Sequence, residues 1–169
     1  NQIEDAKRFF EHVASEYGQY DNVIFEVFNE PTNQSWSAIR DYADTIINVI
    51  RQYSDNLILV GNPNWDQRPS TAIRDEVHDP AHNVAYTFHY YANSHTITGQ
   101  GRSAVNAMEA GLSVFVSEWG TGDADGGGTP NLAKNQQWQD WVNQYKLSSA
   151  NWSASSLNEG TAAFTSEST

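Results

Sequence analysis

Apolar residues along this chain follow two alternating patterns, one typical of strands and the other of helices. Short continuous apolar runs, as in strands buried on both faces, alternate with stretches in which apolar side chains recur every three or four residues. The predicted strands span residues 23–28, 57–60, 84–88, 113–117 and 148–152. The predicted helices span residues 3–17, 39–50, 72–77, 102–110 and 132–145, the third of them short.

The spacing of the predicted strands indicates one repeated supersecondary unit. Successive strands begin about 30 residues apart, which is the length of one strand–helix unit. Five such units in a row predict an α/β fold with a parallel sheet. No linker or low-complexity segment divides the chain, since the Gly- and Asp-rich stretch 122–128 is short enough to be one loop. We therefore expect residues 1–169 to belong to a single domain.

The amino-acid composition limits the kinds of partner and chemistry that are expected for this chain. The chain has 169 residues, with 9 Lys and Arg against 21 Asp and Glu, and a net charge of −12. This excess of acid argues against nucleic acid or an anionic membrane as a partner. The absence of cysteine excludes disulfides and thiolate chemistry. No apolar run approaches the ~20 residues of a membrane span, and residues 1–5 read as helix interior rather than as a signal peptide.

Two glutamates stand at predicted strand ends. Glu30 lies in Asn29-Glu30-Pro31, just after the first strand, and Glu118 follows the fourth strand. Because the carboxyl ends of parallel strands meet at one edge of a sheet, we expect the two side chains to share one cleft. Two facing carboxylates are the equipment that glycosidic bond cleavage requires. The alternatives are structural: Glu30 in a helix N-terminal turn before Pro31, and Glu118 in a buried ion pair.

Aromatic and histidine residues follow the same strand ends. His89 and Tyr91 are two residues apart, so they face the same side of their strand. Trp152 ends the last predicted strand, and Trp65 follows the second. Flat rings with a polar edge suit the faces of sugars, although ordinary packing is the alternative for each of them. Tyr91 could donate its hydroxyl hydrogen bond to Glu118.

Four motifs together carry a family resemblance. With Asn29-Glu30-Pro31, the segments 88–92, 117–120 and 151–153 make the chain resemble glycoside hydrolase family 5, and within it bacterial secreted endo-β-1,4-glucanases, the cellulases. The resemblance implies a (β/α)8 TIM barrel of the retaining glycosidase clan. It aligns the chain with the second part of that barrel, about strands 4–8, so we expect a partial barrel without the family's early-strand Arg and His.

The resemblance also implies roles for individual residues. Glu30 would be the acid/base catalyst and Glu118 the nucleophile. The expected substrate-binding residues are Asn29 at the sugar 2-hydroxyl, His89 and Tyr91 beside the catalytic pair, Trp152 under the sugar ring, and Trp65 at a flanking subsite.

The remaining acids, histidines and tryptophans are expected to be structural. Glu26 lies four residues before Glu30 and is expected to be a buried partner of an early-strand residue, deeper on the same side. The other histidines are predicted to be surface or loop residues, namely His12, His78, His82 and His95. The helical face predicted to enter the core carries Trp138, Trp141, Leu132, Val142 and Tyr145, and Trp119 is expected to pack near the nucleophile.

No metal or cofactor is expected. The loop at residues 123–126 superficially suggests calcium, but an EF-hand would need a Glu eleven positions after Asp123, where Lys134 stands. A turn rich in Gly and Asp is the preferred interpretation. The chain also has no zinc-ligand spacing and no Gly-rich phosphate loop.

Three hypotheses follow for function. The first is a secreted, extracellular endoglucanase that cleaves internal β-1,4-glucosidic bonds. The second keeps the chemistry but changes the polymer to mannan, lichenan or xylan. The third is an inactive fragment or carbohydrate-binding remnant, because five strands cannot close an eight-stranded barrel. Such a piece would need the missing N-terminal barrel segment or self-association.

Overall fold

The computed structural model describes residues 2–164, in which helices and parallel strands alternate. The helices are α1 (Gln2–Tyr17), α2 (Trp36–Ile50), α3 (Pro63–Asp66), α4 (Gln100–Glu109) and α5 (Leu132–Tyr145), with a 3₁₀ turn at Pro69–Ala72. α3 is a single short turn whose residues 64–66 have left-handed backbone angles. The strands are β1 (Phe25–Glu26), β2 (Ile58–Val60), β3 (Val84–Tyr91), β4 (Val114–Gly120) and β5 (Ser149–Asn151). Within residues 2–164, no helix is long and apolar enough to cross a membrane.

The five strands form one parallel sheet in the order β1-β2-β3-β4-β5. Each strand therefore pairs with the next strand along the chain, as expected of successive strand–helix units. β3 and β4 extend beyond their predicted ends, whereas β1 is shorter than predicted. β1 and β5 are the two edges of this sheet in the described part of the chain.

The prediction of a helix at residues 72–77 is wrong. Residues 69–72 form the 3₁₀ turn instead, and the backbone beyond it bonds to distant groups. Asp75 O accepts a hydrogen bond from Trp36 Nε1 at 2.7 Å, Val77 N donates to Tyr86 Oη at 3.2 Å, and His78 N donates to Asp44 Oδ1 at 2.7 Å. Tertiary partners thus satisfy the groups that a helix would have paired internally.

Local signals fix the helix ends. The Ser35 side chain caps α2 by accepting from Ala38 N, and Asn131 caps α5 by accepting from Lys134 N. α1 ends at Tyr17, and the following Gly18 lies where Ser54 approaches closely. A Cβ on Gly18 would lie 2.6 Å from the Ser54 Cβ, so a larger residue would displace the chain there.

The sheet is covered by two hydrophobic clusters. The first includes Ile46, Ile47 and Ile50 of α2 packed with β1 and β2, and the second packs β3 and β4 against α4 and α5. Trp138 and Trp141 are buried in the second cluster, as predicted. Leu132 is 81% exposed, so its predicted core position is wrong. It is the first residue of α5, before the face that packs on the sheet.

Aromatic stacking anchors the outer face of β3 in the second cluster. The Tyr90 ring stacks on Trp138 with 4.0 Å between centroids and on Trp119 with 6.0 Å. The packing role expected of Trp119 is therefore confirmed. Strand alternation leaves Thr87, His89 and Tyr91 on the opposite face of β3.

A buried ion pair stabilises the end of the sheet at which the strands begin. The Arg51 guanidinium donates to both carboxylate oxygens of Asp79, at 2.6 and 2.9 Å. Arg51 also donates to the carbonyl oxygens of Ser54, Asn56 and Asn83. Burial opposes ionisation of Asp79, but Arg51 and the backbone N–H groups of Asn83 and Ala81, which donate to the carboxylate, together outweigh it and lower the pKa of that carboxyl group.

We expect Asp79→Asn to destabilise the fold by about 3–5 kcal/mol, since it leaves the buried Arg51 charge uncompensated. Urea denaturation at pH 7 measures the loss, with Asp55→Asn on the exposed surface as the control. Because the folded pKa of Asp79 is lowered, its contribution to stability should disappear as the pH falls below about 4. Equal midpoints for wild type and Asp79→Asn at pH 7 would contradict this expectation.

Candidate active site

Glu30 and Glu118 meet at the carboxyl ends of the strands. Glu30 follows β1 with a left-handed backbone, φ 52°, and Glu118 lies within β4. One carboxylate oxygen of each and one ring nitrogen of His89 all lie within 4.8 Å of one another. Two acids far apart in sequence thus face each other across one cleft.

A bulge in β4 orients Glu118 toward this cleft. Thr87 pairs with Phe115, but His89 pairs with Glu118, so β4 carries one residue more than β3 over this stretch. Strict alternation would put the neighbours Ser117 and Glu118 on opposite faces. With the bulge, Ser117 contacts His89 and Glu118 contacts Tyr91. Such bulges often re-aim side chains beside active sites.

His89 joins the two sides of the site. Its Nδ1 lies 2.9 Å from Glu30 Oε1, and its Nε2 lies 2.8 Å from Ser117 Oγ. The side chain is only 2% exposed. Burial alone would lower the pKa of His89, but the hydrogen bond to Glu30 and the charges of Asp66 and Glu118 outweigh it and raise that pKa. The site therefore favours the protonated ring.

Tyr91 holds Glu118. The Tyr91 hydroxyl donates to Glu118 Oε1 at 2.6 Å, a short charge-assisted hydrogen bond. Burial, followed by this hydrogen bond, raises the pKa of Tyr91 above its ordinary value. The hydroxyl therefore stays protonated and available to stabilise the ionised Glu118 carboxylate.

Two further carboxylates lie beneath the pair. Glu26 Oε1 accepts from Ser117 Oγ at 3.2 Å and lies 3.9 Å from His89 Nε2. Asp66, fully buried, lies 3.6 Å from the same ring nitrogen. Burial raises the pKa of both groups. Glu26 points to the expected side, and its pairing with an early-strand residue stays a prediction.

A cavity of about 540 Å³ opens beside Glu30, although Glu118 is not among its lining residues. Glu30, His89 and Tyr91 form its floor, and the half-exposed Trp65 forms part of its wall. The remaining lining residues are Asn64, Gln67, His95, Ala124 and Asp125. A polar floor beside an exposed indole matches what a sugar-binding cleft needs, because sugars present both hydroxyl groups and apolar ring faces.

Asn29 and Trp152 do not line this cavity. The Asn29 side chain is exposed just before Glu30, and Trp152 is 43% exposed beyond β5, at the open edge of the sheet. The Trp152 main chain is held by a hydrogen bond from its N–H to Trp119 O at 2.7 Å. Their substrate contacts stay predictions.

His95 lies in the loop after β3, as predicted, and it also lines the cavity, which was not predicted from the sequence. Its Nδ1 accepts a hydrogen bond from Tyr91 N at 2.8 Å, because the chain turns back immediately after β3. Burial lowers the pKa of His95, which favours the neutral ring. With Nδ1 accepting, the proton of the neutral ring is on Nε2. The only sequence signal was its position one helical turn after Tyr91.

Two groups of side chains in residues 2–164 have ligand atoms close enough for a metal: Glu26, Asp66 and His89, and Glu30, His89 and Glu118. Both depend on His89, whose ring nitrogens are already hydrogen-bonded and whose raised pKa favours protonation. A protonated imidazole cannot ligate a metal. These carboxylates are better described as counter-charges of the ring.

The loop at residues 123–127 closes as a turn. Asp123 N donates to Gly127 O at 2.8 Å, and Gly127 N donates to Asp125 Oδ1 at 2.9 Å. Asp125 therefore bonds within its own loop, in the manner of Asp-rich turns.

The five parallel strands, with two facing glutamates at their carboxyl ends, have the architecture of part of a (β/α)8 barrel. The chain belongs to the cellulase family, glycosyl hydrolase family 5, which it matches over residues 1–158.

Curated relatives agree with this assignment. Endoglucanase Z of Dickeya dadantii is 40% identical over 168 residues, which cover 97% of this chain and 38% of that protein. Cellulase CelDZ1 of a Thermoanaerobacterium species is 38% identical over 175 residues, covering 94% of this chain and 45% of that protein. The chain therefore spans less than half the length of these two relatives.

Solved structures confirm the fold as a partial barrel. A structure from Cytophaga hutchinsonii superposes with a TM-score of 0.93 at 33% identity, covering 99% of this chain and 55% of that one. The catalytic domain of a Thermobifida fusca endoglucanase superposes with a TM-score of 0.89 at 31% identity, covering 96% and 54%. The described strands thus correspond to about half of such a barrel.

We expect the two histidines of the site to titrate in opposite directions. In ¹⁵N-histidine NMR, His89 should titrate above pH 6.5 and His95 below it, since 6.5 is the usual value, roughly, for an unperturbed ring. Glu30→Gln should lower the pKa of His89 by removing a charged partner. Because the His89 pKa is raised on folding, its stabilising contribution is present at low pH and is lost as the pH rises through the folded pKa.

A His89 signal that titrates below that of His95, or that does not respond to Glu30→Gln, would contradict the charged contact.

Proposed function

We propose that this chain supplies the catalytic pair of a retaining glycoside hydrolase that cleaves internal β-1,4-glucosidic bonds of cellulose or related β-glucans. Support comes from the short distance between the two glutamates, whose oxygens lie within 4.8 Å. Retaining glycosidases hold their carboxyl groups ~5–5.5 Å apart, whereas inverting enzymes need ~6.5–9.5 Å to admit a water molecule. The separation between the Glu30 and Glu118 carboxylates is therefore in keeping with a retaining enzyme.

In the first step, Glu118 acts as the nucleophile. Its carboxylate oxygen attacks the anomeric carbon while the glycosidic C–O bond breaks. The departing oxygen takes the proton of Glu30, so one sugar chain leaves and the other remains as an ester on Glu118. The Tyr91 hydroxyl, 2.6 Å from Glu118 Oε1, orients the attacking group before the bond forms.

In the second step, Glu30 acts as the base. Its carboxylate accepts a proton from water as the water oxygen attacks the anomeric carbon and the ester bond to Glu118 breaks. The protonated His89 ring, 2.9 Å from Glu30 Oε1, stabilises Glu30 while it is ionised. Both carboxyl groups then return to their starting states, and the sugar keeps its configuration.

A β-1,4-glucan is the proposed substrate. The relatives are named endoglucanase or cellulase, and a variant of the Thermobifida fusca catalytic domain has been solved with cellotetraose. The exposed Trp65 face would stack on a sugar beside the cleaved bond. We propose further subsite contacts for Asn29 and Trp152. An extracellular location follows from the substrate, since such a polymer is too large to enter a cell.

Mannan, lichenan and xylan remain alternatives with the same chemistry. They differ from cellulose in hydroxyl orientation, linkage or a missing hydroxymethyl group, and not in the bond-breaking step. Comparing kcat/KM on the four polymers separates them.

We expect Glu118→Gln to reduce turnover of carboxymethylcellulose by more than about 1,000-fold, because the amide cannot form the ester intermediate. The assay uses residues 1–169 alone and the same residues joined to the remaining strands of a relative's barrel. Glu109→Gln on the exposed face of α4 is the control and should keep wild-type activity. Substantial activity in Glu118→Gln would refute its role as nucleophile.

The alternative of an inactive fragment makes a separate prediction. The sheet presents two edges, and Ile24 and Phe28 beside β1 are each 46% exposed. Unpaired edges with apolar neighbours favour association. Residues 1–169 alone should therefore sediment above 18.9 kDa, the mass of one chain, and Ile24→Lys should reduce this association. A folded and active monomer would contradict the expectation.

A further inference from the structure

We propose that Asp66 is a positioning residue for Glu30: its buried carboxylate fixes the main chain of the acid/base catalyst and ties it to the loop that carries Trp65. The proposal rests on the proposed function, because it assigns Asp66 an effect on proton transfer by Glu30. Asp66 itself lies below the cleft and is not a lining residue of the cavity.

Both oxygens of Asp66 bind backbone N–H groups. Oδ2 accepts from Glu30 N at 3.0 Å, and Oδ1 accepts from Asn62 N at 2.6 Å. The side chain is fully buried, so water does not compete for these hydrogen bonds. One carboxylate thus connects the segment after β1 with the segment after β2, and each hydrogen bond is charge-assisted.

The backbone on both sides of this connection is left-handed. Glu30 has φ 52°, and three consecutive residues after β2 have φ 63°, 55° and 56°, namely Asn64, Trp65 and Asp66. Within residues 2–164 these are four of the six non-glycine residues with positive φ. Side chains disfavour this region, and such strain persists only where the surroundings impose it. The Asp66 carboxylate supplies part of that constraint.

Two backbone hydrogen bonds extend the connection. Asn64 N donates to Thr32 O at 2.8 Å, and Trp65 N donates to Pro31 O at 3.0 Å. The junction is also tightly packed, since a Cβ on Gly61 would lie 2.9 Å from Phe28 O and 3.0 Å from Asp66 Oδ1. The sugar-facing Trp65 and the proton-donating Glu30 therefore occupy one rigid unit.

The charge of Asp66 also reaches His89 from the side opposite Glu30. Asp66 Oδ2 lies 3.6 Å from His89 Nε2, whereas Glu30 Oε1 lies 2.9 Å from Nδ1. Asp66 thus acts on Glu30 in two ways. It binds the main-chain N–H of Glu30, and its charge acts on the His89 ring that the Glu30 carboxylate contacts. Losing Asp66 should misplace the proton donor while Glu118 keeps its hydrogen bond from Tyr91.

The dependence on leaving group distinguishes this role from a merely structural one. A sugar alkoxide needs a proton to depart, whereas 2,4-dinitrophenolate does not. We therefore compare kcat/KM for cellotetraose and for 2,4-dinitrophenyl β-cellobioside, both of which report on the first bond cleavage. The variants are Asp66→Asn and Asp66→Ala, with Glu30→Gln as the benchmark for loss of the acid and Asp79→Asn as the off-site control.

We expect Asp66→Ala to lower kcat/KM for cellotetraose by about 100-fold, because small displacements of catalytic groups are costly. The decrease in kcat/KM for the aryl cellobioside should stay within about 3-fold, since its leaving group departs without a proton from the acid catalyst. Asp66→Asn keeps one acceptor oxygen and should fall between wild type and Asp66→Ala. Glu30→Gln should show the same selectivity more strongly, and Asp79→Asn should show none.

Equal losses on both substrates in the Asp66 variants would overturn the proposal and leave Asp66 a structural residue. The assays use residues 1–169 joined to the remaining strands of a relative's barrel, and if this wild-type protein cleaves neither substrate, the proposed function fails instead, so the two failures are distinguishable. Assays are run below the melting temperature of every variant, as measured by circular dichroism. If Asp66→Ala does not fold, the selectivity of Asp66→Asn decides the question.

Discussion

The charge on the buried His89 ring is the constraint on which the site depends. Four carboxylates bring an oxygen within 2.9–3.9 Å of its two nitrogens: Glu26, Glu30, Asp66 and Glu118. Without a positive partner, so many acids in a buried space would repel one another and take up protons. Of the four, Glu30 is hydrogen-bonded to the ring, through Nδ1, whereas the other ring nitrogen is hydrogen-bonded to Ser117 Oγ. Glu26, Asp66 and Glu118 lie 3.6–3.9 Å from a ring nitrogen and interact with its charge.

The chemistry and the core share one strand. β3 carries His89 and Tyr91 on the face that looks into the cleft, and Phe88 and Tyr90 on the face that packs against α5. Because side chains alternate along a strand, fixing the aromatic face also fixes the polar one. The stacking of Tyr90 on Trp138 therefore determines where the histidine and tyrosine of the site stand.

Periodicity predicted the parts of this structure that local sequence controls. The bounds of α5 and the burial of Trp138 and Trp141 follow from apolar spacing, and the parallel sheet follows from the alternation of strands and helices. The meeting of Glu30 and Glu118 followed from the rule that parallel strands end at one edge.

What the sequence could not reveal depends on partners distant along the chain. The bulge in β4 is visible only against the register of β3. The left-handed turn before Gln67 depends on hydrogen bonds to the segment after β1, and no residue in it is glycine. His95 enters the cavity because the chain folds back on Tyr91. In each case several local conformations have similar energy, and tertiary contacts determine which of them the chain adopts.

Glu30 and Glu118 are positioned by strands of different hydrophobic clusters. Glu30 follows a strand packed in the first cluster, and Glu118 is carried by a strand that packs largely in the second. The gap between their oxygens is thus a distance between two packing units, bridged by β3. Widening it by about 2 Å would admit a water molecule and give the spacing of an inverting enzyme. Under the proposed retaining mechanism, the stereochemistry of the released sugar would therefore depend on how rigidly the two halves of the core are joined.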